Sequence, residues 1–111
     1  MFKGLGQMAN LFKQAQEIGG KMQQLKEEMA NWRVQGAAGG GLVEVEINGL
    51  GAATSVKIDP SLMSGGDQEL LESLLAGAIT QANDRLKERQ AREMSEITGG
   101  MDMGALGNML G

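Results

Sequence analysis

Between Gly39 and Pro60 the chain reads GGGLVEVEINGLGAATSVKIDP, and this stretch constrains everything around it. In Leu42–Asn48 the apolar Val43, Val45 and Ile47 alternate with Glu44 and Glu46. A strand sends successive side chains to opposite faces, so the alternation predicts a strand with one dry face and one wet face. Ala53–Ile58 repeats the pattern, with Thr54, Val56 and Ile58 on one side and Ser55 and Lys57 on the other. Asn48-Gly49 lies between the two runs, with Gly51 close behind. Asn and Gly tolerate positive φ, so the pair predicts a tight hairpin with Gly49 in the left-handed region. The register that follows sets Ile47 against Ala52, Val45 against Thr54 and Val43 against Val56, and brings Lys57 near Glu44 and Glu46. Asp59-Pro60 stops the second strand, because proline has no N–H for a ladder.

Helical segments flank the hairpin. Met1–Gln7 reads as a short frayed start. From Met8 an apolar stripe runs Met8, Leu11, Ala15, Ile18, Met22, Leu25, Met29, Trp32, with gaps alternating between three and four. That spacing is a heptad seam. Gly19-Gly20 lies off the seam and costs roughly 1–2 kcal/mol relative to alanines, with a bend as the expected consequence. Trp32–Ala38 suits a short extra strand. Gly39-Gly40-Gly41 is a flexible corner rather than a phosphate loop, since no Gly-Lys-Ser/Thr follows and the next element is a strand.

After Pro60, Ser64 or Asp67 can cap a second long helix, and Glu69 and Glu72 suit its positive end. Leu70, Leu71, Leu74, Leu75, Ala78, Ile79, Ala82 and Leu86 form a stripe wide enough to cover a sheet. Asn83–Glu93 is almost wholly polar, and Gly99-Gly100 ends the helix. Helices of about 25 and 30 residues span nearly 40 and ~45 Å. Strands of six or seven residues cover only ~20 Å. The helices therefore overhang the sheet, and the expected cover is an identical subunit in a two-fold dimer. Leu11, Ile18, Met22, Leu25 and Met29 are its candidate interface; the competing reading packs the seam only on this chain's own sheet and second helix.

At 111 residues the chain is one domain, 1–100, followed by a Met/Gly-rich tail, 101–111, expected to be disordered or to serve as a docking peptide. There is no cysteine and no histidine, hence no thiolate or imidazole for a nucleophile pair or a metal site. Glu44 and Glu46 belong to a charged outer sheet face, and no constellation suggests a reaction, a cofactor or a small-molecule substrate. No apolar run approaches the ~20 residues of a membrane span. The N-terminus has no signal-peptide character, and the expected compartment is the cytoplasm.

Charge is divided by segment: net +2 over residues 1–35, −6 over 36–84, +3 over 85–92 and −3 over 93–111, which sums to the formal −4. Phosphate attraction is local, so an acidic protein can bind DNA through basic projections. Arg85, Lys87, Arg89 and Arg92 are the densest cationic stretch; Lys13, Lys21, Lys26 and Arg33 come second.

The order of a methionine-rich heptad helix, GGGLVEVEINGLGAATSVKIDPSL, a Leu-rich helix and a Gly/Met tail closely resembles the YbaB/EbfC family of bacterial nucleoid-associated proteins. The motifs LFKQAQEIGGKMQQLKEEM, GLVEVEINGLG and VKIDPSL carry the resemblance, which runs from about Met1 to Met101. It implies an α+β chain of order αβββα, a small antiparallel sheet flanked by two long projecting helices, and a tweezer-like homodimer. It also implies binding to double-stranded DNA that alters DNA conformation, with roles in nucleoid organisation, gene regulation and DNA protection. The alternative from another class is a helical adaptor that holds a partner protein and not DNA.

Overall fold

The structure, a computed structural model, describes residues 2–99; the tail 101–111 lies outside them. In chain order it has α1 (Phe2–Met29), β1 (Val34–Ala38), β2 (Val43–Ile47), β3 (Ala53–Ile58), α2 (Pro60–Ser64) and α3 (Gln68–Ile97). The strands form one antiparallel sheet in the order β1-β2-β3. Two compact units result: Glu28–Ala91, and the chain on either side of that span.

α1 begins at Phe2, not at Met8, so the start expected to fray is helical despite Gly4 and Gly6. The helix also runs through Gly19 and Gly20, whose missing Cβ atoms would meet nothing. It ends before the seam does. Asn31 N–H donates to the Glu28 carbonyl at 2.9 Å and Trp32 N–H to the Met29 carbonyl at 3.1 Å, which closes the last turn and leaves Trp32 outside it. Trp32 is nevertheless buried.

The β2–β3 register differs from the one read off the sequence. Val43 faces Ile58, Glu44 faces Lys57, Val45 faces Val56, Glu46 faces Ser55 and Ile47 faces Ala53. An irregularity at Glu46/Ile47 absorbs one extra residue on β3, Thr54. Bulged residues leave the strict alternation. The Thr54 hydroxyl accordingly turns to Glu46, 2.7 Å from its Oε2 and 3.2 Å from its carbonyl oxygen. The connection is a five-residue loop rather than a two-residue turn. Asn48 organises it: its Oδ1 accepts from Leu50 N–H at 2.9 Å and Ala52 N–H at 3.0 Å.

Within that loop the positive φ belongs to Gly51 (87°), and Gly49 does not have one. Gly49 is required for a different reason. It is buried against the end of α1, where a Cβ would stand 2.7 Å from that of Met29. Its N–H donates to the Met29 carbonyl at 2.7 Å. Between β1 and β2, Gly39, Gly40 and Gly41 all have positive φ (65°, 69° and 93°), so the expected glycine corner is a left-handed turn.

α2 was not legible in the sequence. Asp59 caps it, accepting from Ser61 N–H at 2.9 Å, with Pro60 at the first helical position where no N–H is needed. Hydrogen bonds from Ser61 hold the Asp59 carboxyl below the usual carboxylate value. Asp67, one of the two expected caps, heads α3 through Leu70 N–H at 3.0 Å. The other, Ser64, instead ends α2.

The core of the Glu28–Ala91 unit is Trp32, Val34, Val43, Val45, Ile47, Leu62, Ala78, Ala82 and Leu86. α3 makes its closest approach to the sheet through small residues. At Gly36 a Cβ would collide with the Ala78 carbonyl oxygen and would stand 2.9 Å from the Ala82 Cβ. Two α3 side chains then cover the β1 edge: Gln81 Oε1 accepts from Ala37 N–H at 2.7 Å, and Arg85 Nη1 donates to the Gln35 carbonyl at 2.9 Å. The opposite edge strand, β3, is exposed along almost its whole length.

Gly36→Ala forces α3 off the sheet and should lower stability by about 1–3 kcal/mol, as overpacking does. Gly19→Ala, in open space on α1, should raise it by about 0.4–1 kcal/mol. Urea unfolding followed by Trp32 fluorescence measures both.

Candidate nucleic-acid interface

On α3 the spacing of Arg85, Arg89 and Arg92 places them on one helix face, and Lys87 on the far side. The structure gives the four different environments. Arg85 is tied to β1 by its bond to Gln35. Arg89 lies with its guanidinium carbon 4.2 Å from the centre of the Trp32 ring. A cation over an indole face is attracted by the ring's negative quadrupole, and the buried ring fixes the guanidinium's position. Lys87 and Arg92 are exposed and point to solvent.

Arg33 follows Trp32 and is bent back on its own neighbourhood. Its Nη1 donates to the Trp32 carbonyl at 2.8 Å, and its Nε stands 3.8 Å from Glu46 Oε2, the one ion pair among the described residues. Half-exposed pairs of this length contribute little stability, but the contact keeps Arg33 beside an acid. Lys13, Lys21 and Lys26 on α1 are exposed. Lys57 sits opposite Glu44 on the outer sheet face, among Gln35, Glu46 and Ser55.

The α1 seam divides in the same way. Leu25 is 8% exposed and Met22 and Met29 are half-buried, so these three already have cover within the chain. Leu11 (65%) and Ile18 (36%) do not. In the Glu28–Ala91 unit the uncovered apolar side chains include Val56 (49%), Leu70 (44%) and Ile79 (42%). Val56 pairs with Val45 and shares its face, so α3 leaves the β3 side of that face open.

The place of Trp32 beneath Arg89 was missed by the sequence reading. Counted as the last position of a heptad seam, it instead serves as the platform for Arg89. Its place between a helix end and a strand was the available signal. Among the described residues no cluster of three or more acidic, His or Cys side chains is arranged to hold a metal ion, and no helix is long and apolar enough to cross a membrane.

The chain is thus a small αβββα protein with exposed cations on its long helices. The model of the YbaB/EbfC DNA-binding family matches residues 4–101, and the chain belongs to that family. Among solved structures it is similar to the uncharacterized protein HP0035 from Helicobacter pylori. The identity is 28% and the TM-score 0.58, and the match covers 67% of this chain and 86% of that one.

If Trp32 holds Arg89, then Arg89→Ala should cost about 0.5–2 kcal/mol and shift the emission of this sole tryptophan. Lys87→Ala and Arg92→Ala, which touch nothing comparable, should stay within about 0.5 kcal/mol of the parent. Equal denaturation midpoints and an unchanged emission maximum for Arg89→Ala would remove the platform.

Proposed function

We propose that the protein is a nucleoid-associated homodimer that binds double-stranded DNA by its phosphates and alters the shape of the duplex. Membership in a DNA-binding family supports DNA as the ligand, and the exposure of Lys87 and Arg92 on α3 is the observation that carries the mode of contact. Lysine and arginine meeting phosphates position a protein on DNA without reading bases. Preference among sequences then comes from how easily each one deforms. Arg85 and Arg89, held by β1 and Trp32, add ordered cations on the Arg92 face of α3, with Lys87 on the other side. Lys13, Lys21 and Lys26 on α1 are the second set, and Arg33 contributes least because Glu46 faces it.

The dimer half of the proposal rests on what is left uncovered. β3 is an exposed edge strand, Val56 on it is open, and Ile79 on α3 is uncovered as well. Exposed edges invite pairing, and a second copy provides it symmetrically. Leu11, Ile18, Met22, Leu25 and Met29 were the interface expected from the seam; the burial of Leu25 makes the sheet side the better seat. Work in the nucleoid, within the cytoplasm, follows, with nucleoid organisation, gene regulation and DNA protection as consequences of coating and bending DNA.

Gel-shift on unrelated duplexes, with mass by light scattering, tests the reading. If the two-chain species neutralises about four phosphates, log K should fall against log salt with a slope of roughly −3.6. Lys87→Ala with Arg92→Ala should flatten that slope and weaken all duplexes alike. An unchanged slope would move the contacts to α1. No binding at ~50 mM salt, where phosphate contacts are strongest, would contradict the proposal.

A further inference from the structure

Asn48-Gly49 is the one Asn-Gly pair in the chain. Such a pair has a reaction of its own. The backbone nitrogen that follows an asparagine can attack the side-chain amide carbon, and glycine, with no Cβ, hinders the approach least. The structure treats the two reactants oppositely. Asn48 Oδ1 accepts from Leu50 N–H at 2.9 Å and from Ala52 N–H at 3.0 Å. Both partners are donors, so the amide's oxygen and not its nitrogen faces them. Negative charge gathers on that oxygen as the carbon is attacked, and two N–H groups aimed at it stabilise the charge, as in an oxyanion hole. The nucleophile, by contrast, is masked. Gly49 is buried, and its N–H donates to the Met29 carbonyl at the end of α1 at 2.7 Å. Attack requires that proton to leave and the nitrogen to turn toward Asn48, and neither occurs while the bond is made. Gln90 Nε2, on α3, donates to the Gly49 carbonyl at 3.4 Å and holds the same residue at its other end. All of these groups lie in the Glu28–Ala91 unit.

We propose that Asn48-Gly49 is a self-modification site, activated at the carbonyl and held shut at the nitrogen, which is released when Gly49 leaves the end of α1. On release the Gly49 nitrogen gives up its proton and bonds to Asn48 Cγ. The bond from Cγ to the side-chain nitrogen breaks, and that nitrogen departs with the proton as ammonia. The cyclic imide left behind takes up one water at either carbonyl, giving aspartate or isoaspartate at this position. Aspartate keeps an acceptor where Asn48 Oδ1 tied the loop. Isoaspartate adds a methylene to the main chain inside a loop closed by Asn48 N–H on the Ala52 carbonyl at 2.8 Å and Gly51 N–H on the Asn48 carbonyl at 3.1 Å. The longer chain displaces both bonds and the seat of Gly49 on Met29, so an opening of this corner is recorded covalently. The site depends neither on DNA binding nor on dimerisation.

Full-length parent and Gln90→Ala, held at mildly alkaline pH beside a free peptide spanning Glu44–Thr54, test the proposal. Peptide mapping by mass spectrometry reads conversion at Asn48 as the mass gained when NH2 gives way to OH. Amide exchange by NMR reads opening at Gly49 and, for the core, at Val45. The parent should convert roughly tenfold or more slowly than the peptide, as a nucleophile freed by local opening less than about a tenth of the time would. Gln90→Ala should raise conversion at Asn48 and exchange at Gly49 by the same severalfold factor, with Val45 exchange as in the parent. Parent conversion at the peptide's rate would overturn the proposal, since nothing would then hold the nitrogen. So would an unchanged conversion rate in Gln90→Ala, or conversion that rises only in step with Val45 exchange, which would assign the reaction to the unfolded chain.

Discussion

The fold depends on the closeness with which α3 lies on the sheet at Gly36. No Cβ fits between that residue and the backbone of Ala78 and Ala82, so helix and strand meet at the distance only glycine and alanine allow. Three features follow from this one contact. Val43 and Val45 are shut away almost completely, at 0% and 2% exposure. Gln81 comes within reach of Ala37 N–H, and Arg85 within reach of the Gln35 carbonyl, so the edge of β1 is satisfied by side chains in place of another strand. Arg89, one turn on, arrives over Trp32. Packing and charge placement are thus set by the same close approach.

That placement is lopsided, and the lopsidedness bears on function. α3 covers the β1 side and leaves Val56 on the β3 side uncovered. A three-stranded sheet with one protected edge and one open edge is poorly suited to remain alone in water. The cations follow a similar division. Arg33, Arg85 and Arg89 are held by neighbours, while Lys87, Arg92 and the α1 lysines stand in solvent. Over residues 85–92 four cations stand against the single acid Glu88, while residues 36–84 carry a net −6. This explains how a chain of formal net charge −4 can belong to a DNA-binding family.

Much of this was legible in the sequence wherever side-chain period alone decides structure. The alternation of Val43, Val45 and Ile47 with two glutamates placed β2, and the Leu-rich stripe placed α3. What periodicity does not carry was misread. The hairpin register depended on one bulged residue, Thr54, and on a five-residue loop tied by Asn48, neither of which changes the apolar pattern. Gly49 was assigned to backbone conformation when its need is space against Met29. α2 is a single capped turn, too short for a period to show. At the candidate interface the sequence located the basic cluster on α3. It could not separate Arg89 from Lys87, because that difference lies in Trp32, fifty-seven residues earlier in the chain.

The central claim is that DNA meets the exposed cations of the long helices and not the sheet. Titrating the isotope-labelled protein with a short duplex and following its amide resonances tests this most directly. The account predicts shifts concentrated on α3 around Lys87 and Arg92, with smaller ones near Lys13, Lys21 and Lys26, and none at Glu44, Glu46, Ser55 and Lys57. Shifts centred on those four outer-face residues, with the helices unmoved, would contradict it.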